Sequence, residues 1–100
     1  MNIKVEREPA RTIVSLSGQL DTLTAVDFEK EVSALLNSDE HQIVLNCEGL
    51  SYVSSAGLRL LLTLQKGMMA KGGTLILEKV QSPIMDIFKI TGFSSILTIK

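Results

Sequence analysis

The chain has one cysteine, Cys47, no tryptophan, one tyrosine and two prolines. A lone cysteine cannot close an intramolecular disulfide or build a cysteine-based metal cluster. His41 is the only histidine, which excludes a multi-histidine metal site. The apolar runs are far shorter than the roughly 20 residues that span a bilayer. The segment Met1-Asn2-Ile3-Lys4-Val5-Glu6 alternates and carries charge where a signal peptide has an apolar block. No membrane partner and a cytoplasmic location are therefore expected. Neither sign of charge dominates: 10 Lys and Arg face 11 Asp and Glu, for a formal net charge of −1. With no basic stripe and no interleaving of Arg and aromatic residues, nucleic acid is not an expected direct partner.

What remains is a chain of 100 residues, 45% apolar, with only four aromatic residues. That suits one globular domain, residues 1–100, with a core expected to come from Ile, Leu, Val and Met. Residues 2–8 alternate, with Ile3 and Val5 on one face and Lys4 and Glu6 on the other, the period of a strand. Pro9-Ala10 turns the chain, and Thr12 to Ser17 alternates again as a hairpin partner that Gly18 ends. Ala25, Phe28, Val32, Leu35 and Leu36 then recur at helical spacing, with Thr22 or Thr24 as the expected cap and Asp27 completing a short capping box.

Ile43-Val44-Leu45 reads as a strand covered on both faces, followed by a loop over Asn46 to Val53. A helix is predicted from Ser55 to about Ala70, with Leu58, Leu61, Leu62, Gln65 and Met68 inward; Lys71 suits its negative end, and Gly72 or Gly73 its exit. Thr74 to Leu77 is another buried strand. Ser82-Pro83 opens a short helix that Gly92 stops, with Ser82 as cap, and Ser95 to Ile99 closes the chain as a strand. The order β-β-α-β-α-β-α-β predicts a mixed, mainly parallel sheet with an N-terminal hairpin and about three helices packed against it.

The most informative segment is Leu50-Ser51-Tyr52-Val53-Ser54-Ser55-Ala56-Gly57-Leu58-Arg59. Paired serines stand where a helix begins, and the first turn of a helix carries unpaired N–H groups and partial positive charge. One cap needs one serine, so a second hydroxyl is left over. A phosphoryl group on it adds about −1.5 to −2 charges. Ala56 and Gly57 add no bulk against an approaching molecule.

These residues, with Gly18-Gln19-Leu20-Asp21-Thr22 and the closing segment Phe93 to Ile99, resemble the STAS domain family, and within it the stand-alone anti-sigma factor antagonists of bacteria. The resemblance covers nearly all of the chain. It implies a binding protein rather than an enzyme, whose partner is both anti-sigma factor and serine kinase, of the histidine-kinase-like ATPase type. In such proteins the unphosphorylated domain binds this partner and frees a sigma factor; phosphorylation of the serine turn releases it, and a serine phosphatase restores binding. Carried over, the acceptor is Ser55 and Asp21 lies beside it. Many relatives have aspartate just before the acceptor, whereas this chain has Ser54, which makes Ser54 the second candidate. The implied partner-binding residues are Asp21, Thr22, Ser54, Ser55, Gly57 and Arg59. Arg59 replaces a small residue of many relatives and can meet an acidic partner, meet the phosphate, or stay solvated.

Other readings compete with this one. A hydrolase elbow needs glycine two residues on either side of its serine, but Ser55 has Val53 before it and Gly57 after it. The only imidazole, His41, precedes the preceding strand and is expected at the opposite edge of the sheet. Gly72-Gly73 lacks the lysine of a phosphate loop, so no cofactor site is expected. A scaffold or sensor module of the same fold that is never phosphorylated is the remaining alternative.

Overall fold

A computed structural model describes residues 1–100. Five strands form one sheet in the order β1-β2-β3-β4-β5: β1 (Asn2–Arg7), β2 (Thr12–Leu20), β3 (Gln42–Val53), β4 (Thr74–Glu78) and β5 (Thr98–Ile99). The β1–β2 pair is antiparallel and the other three pairs are parallel, as the order of periodicities predicts. Three helices, α1 (Ala25–Leu36), α2 (Ser55–Ala70) and α3 (Ser82–Thr91), connect the parallel strands.

One row of partners, Val5, Val14, Leu45, Leu77 and Ile99, crosses all five strands on a single face. That face joins the buried sides of all three helices in one apolar cluster, with Phe28 and Val32 from α1, Leu61, Leu64 and Met68 from α2, and Ile84 and Phe88 from α3. Each such side chain, fully withdrawn from water, contributes about 1.5–3 kcal/mol. Leucine dominates the core, but its two largest side chains are Phe28 and Phe88, which composition alone did not place there. Of the inward residues predicted for α2, Leu62 is only half-buried, while Leu60 and Leu64 are buried.

Ile43, Val44 and Leu45 are all buried, as expected of a strand covered on both faces, but the face that carries Val44 lies outside the helix-covered cluster. Its central row, Glu6, Ile13, Val44, Ile76 and Thr98, is in register across the sheet, and the next row is Lys4, Ser15, Asn46 and Glu78. Val44 is buried there, yet Ile13 and Ile76 are only half-buried. Short apolar runs such as Ile43-Val44-Leu45 do not distinguish a two-sided strand from one flanked by β-branched neighbours.

Four local expectations need correction. Gly18 does not end β2; with φ of +95° it absorbs a register shift, and the strand continues to Leu20. The stretch Asn46 to Val53 is not a loop but the second half of β3, paired with β2 from Ser17↔Gly49 to Leu20↔Val53. Register shifts break its alternation, which is why no period of two is visible there. Ser82 is not the cap of α3 but its first residue, after Gln81 at the cap position, with Pro83 in the first turn. The last strand shrinks to Thr98–Ile99, because Phe93–Ser95 forms a 3₁₀ turn after Gly92, whose φ of +82° ends α3.

β3 is much longer than its neighbour β4, which pairs only with Gln42 to Asn46. Beyond Asn46, β3 and the end of β2 run on as a two-stranded tongue. α2 begins at its tip.

Candidate functional site

The tip of the tongue is fixed by pairing between its two strands. Leu20 and Val53 form the last partners in register, and the next N–H on β3, that of Ser54, donates to the Leu20 carbonyl at 2.8 Å. The chain beyond Leu20 and the chain beyond Val53 therefore leave side by side, which places Asp21 next to the serine turn. Gly57 seals the junction. A Cβ there would meet Leu20 Cγ at 2.7 Å and Cδ2 at 2.9 Å, so only glycine lets α2 lie this close to β2.

The two serines do different work. Ser54 has extended backbone (φ −86°, ψ 173°), and its Oγ accepts from Gly57 N–H at 3.3 Å. It is the helix cap, with its hydroxyl committed to an N–H that has no partner within the helix. Ser55 is the first residue of α2, exposed, and its hydroxyl makes no hydrogen bond within the chain. Neither serine is sealed in the interior, and one hydroxyl is free.

The β2–α1 connection is built by Asp21 rather than by Thr24. Asp21 Oδ1 accepts from the N–H groups of Leu23 and Thr24, both at 3.0 Å, and Thr24 Oγ1 accepts from Asp21 N–H at 2.9 Å. The Ala25 N–H already reaches back to the Asp21 carbonyl at 2.8 Å. This is a reciprocal cap shifted three residues upstream of the predicted one. Thr24 itself has helical backbone and makes no side-chain cap to α1, so the proposed pair of Thr24 and Asp27 does not form. The N–H of Thr24 above all, then the Thr24 hydroxyl and the Leu23 N–H, hold the Asp21 carboxyl below its ordinary range even though burial opposes them. Thr22 stands exposed in the same turn.

Arg59 is exposed on α2, one turn after Ser55. It lines a shallow depression between α1 and α2 of about 160 Å³, together with Val26, Glu29, Ala56 and Leu60. It takes part in none of the chain's three ion pairs. Two neighbours escaped the sequence reading: Leu23 is 85% exposed and Val26 is 56% exposed. Both fall off the helical stripe of Ala25, Phe28 and Val32, and an apolar residue out of phase was the available signal.

His41 lies at the start of β3, and the whole length of that strand separates it from Ser55. Its Nδ1 sits 2.7 Å from the Asp39 carbonyl in an exposed loop. The chain's one imidazole is therefore remote from the serines. Cys47 is buried in the core, where loss of water pushes its thiol up to about 12, so it has little thiolate character. No cluster of three metal-ligating side chains exists, and no helix is long and apolar enough to cross a membrane.

The model of the STAS domain matches residues 2–100. The chain belongs to the STAS domain family. Among relatives of this STAS domain is the anti-sigma F factor antagonist of Paenibacillus polymyxa, 32% identical over 103 residues that cover 99% of this chain and 87% of that protein. Solved structures show the same fold. The anti-sigma factor antagonist SpoIIAA in its unphosphorylated form superposes with a TM-score of 0.83 at 22% identity, covering 99% of this chain and 88% of SpoIIAA. The Bacillus cell fate determinant SpoIIAA in its phosphorylated form gives a TM-score of 0.77 at 21% identity, covering 99% and 91%.

Proposed function

We propose that this STAS domain is an anti-sigma factor antagonist switched by phosphorylation of Ser55. Unmodified, it binds an anti-sigma factor that is also a serine kinase of the histidine-kinase-like ATPase type, and so frees a sigma factor. The contact surface is the tip formed by Asp21, Thr22, Ser54, Ser55, Gly57 and Arg59, and a serine phosphatase returns the protein to its binding state. The protein acts by binding and not by catalysis.

One observation carries the reading: Ser55 offers an exposed, uncommitted hydroxyl at the start of α2, while Ser54 alone performs the cap. A kinase can therefore modify Ser55 without dismantling the helix. The division also favours Ser55 over Ser54, whose oxygen is tied to Gly57 N–H. The relatives' names and the existence of SpoIIAA in two phosphorylation states support the same reading.

The physical basis of release is charge. A neutral hydroxyl fits a close-packed interface, whereas a phosphoserine brings about two negative charges that need a matching cation. Facing like charge costs several kcal/mol, and about 2.7 kcal/mol is already a hundredfold in affinity. Incubation with ATP and the cognate kinase, followed by intact-mass measurement, tests the assignment. One added phosphoryl group is expected on the wild type and on Ser54→Ala, and none on Ser55→Ala. No gain on any of them, or a gain that follows Ser54, overturns it. Ser55→Asp is expected to weaken binding to the partner while leaving the fold intact.

A further inference from the structure

Arg59 is a cation without a partner, four residues after Ser55 on α2. Its guanidinium donates no hydrogen bond within the chain and joins no ion pair. Glu29, which shares its depression, is not within ion-pair distance of it. Residues four apart on a helix have Cβ atoms about 5–6 Å apart on one face, and helical side chains lean toward the N-terminus. Arg59 lines two adjoining depressions along the α1–α2 groove, one with Ala56 and the other with Thr63, so its exposed side chain is free to reach the first turn of α2. At 3.6 residues per turn, Ser55 is about 40° around the helix from Arg59 and Ser54 about 140°.

We propose that Arg59 pairs in cis with a phosphoryl group on Ser55, a role that rests on Ser55 being the residue modified. The planar fork of the guanidinium matches two phosphate oxygens at once. Modification then changes the tip twice. It adds a dianion, and it withdraws from the surface the cation that an acidic partner would meet. The phosphorylated tip presents a closed ion pair where the unmodified tip presents a free guanidinium.

Phosphoserine inserted during translation at position 55 tests this without a kinase. Phosphorus NMR reads its second ionisation, which lies near pH 6 in the free residue. An adjacent cation favours the dianion, so Arg59→Gln is expected to raise the midpoint by about 0.15–0.4 units, a roughly 1.4- to 2.3-fold change in acid dissociation constant. Arg59→Lys keeps part of the effect, because an ammonium offers the charge but not the fork. Phosphoserine placed at position 54 instead is expected to titrate alike with and without Arg59. If the phosphoserine at position 55 gives superimposable curves in the wild-type and Arg59→Gln backgrounds, the pairing is overturned, as it is by an equal shift at position 54. The outcome is separable from the proposed function. A positive titration with no kinase acceptance sinks only the switch, and kinase acceptance with a flat titration sinks only the cis pair.

Discussion

Gly57→Ala adds one methyl group at the point where α2 rests on β2. The new Cβ would sit 2.7 Å from Leu20 Cγ, 2.9 Å from Cδ2 and 3.1 Å from the Leu20 carbonyl oxygen. Leu20 is fully buried in the core, and its carbonyl accepts from Ser54 N–H at 2.8 Å, so neither side can yield cheaply. Overpacking of this kind costs about 1–3 kcal/mol, against which alanine in place of a helical glycine recovers at most about 1 kcal/mol. A net loss of about 1–2 kcal/mol lowers Tm by roughly 4–15 °C in a domain of this length.

Gly67→Ala is the control within the same helix. There the Cβ would meet Leu36 Cδ2 at 2.4 Å and Cδ1 at 2.7 Å. Those are the free ends of a half-buried side chain that can rotate away, so the helical gain is expected to balance or exceed the clash. Thermal denaturation followed by circular dichroism reads both. A Gly57→Ala melting temperature equal to or above that of the wild type, or a Gly67→Ala loss as large as that of Gly57→Ala, refutes the reasoning. Because Leu20 anchors Ser54, Gly57→Ala is also expected to slow phosphorylation of Ser55 at temperatures where the variant stays folded.

Ser54→Ala removes the cap of α2 and is expected to cost about 1 kcal/mol; Ser55→Ala, which breaks no internal bond, leaves the melting temperature unchanged, and equal losses would contradict the division of labour. Lys71 reaches across to the end of α1, its Nζ donating to the Leu35, Leu36 and Ser38 carbonyls at 3.2, 3.4 and 2.7 Å. Lys71→Met leaves those acceptors to water and is expected to lower Tm by several degrees, since a cation at a helix C-terminus contributes up to about 1 kcal/mol; an unchanged Tm refutes it. Burial pushes the Glu40 carboxyl up, but hydrogen bonds from Thr12 and Ser38 and the charge of Arg7 outweigh this and hold it below its ordinary value. Its contribution is therefore complete above the unfolded value of about 4.3 and fades as pH falls through the folded one. The melting temperatures of wild type and Glu40→Gln, separated at pH 7, are expected to converge toward pH 3; a constant gap refutes the assignment.

The sequence carried the element order because each helix repeats its apolar residues at one period and each well-paired strand at another. It carried the serine turn too, since two adjacent hydroxyls before a leucine-rich period exceed what one cap requires. The second half of β3 was hidden because Cys47, Leu50 and Val53 are buried three apart, a spacing set by irregular register and not by either standard period. The cap at Asp21 was misplaced onto Thr24 because both residue types cap helices, and only geometry shows which carboxylate or hydroxyl accepts the N–H groups. Lys71 reads locally as the end of α2, while its charge serves α1, a contact 33 to 36 residues away that no local pattern encodes.

The tongue gives the domain two grades of rigidity. Ile43 to Leu45 have a ladder on each side, but Gly49 to Val53 are laddered only to β2. Amide protons of the outer stretch are accordingly expected to exchange with solvent sooner than those of the inner one. The serines thus sit beyond the five-strand row, at the end of a stretch held by one ladder and by the burial of Leu20, Leu50 and Val53 in the common core.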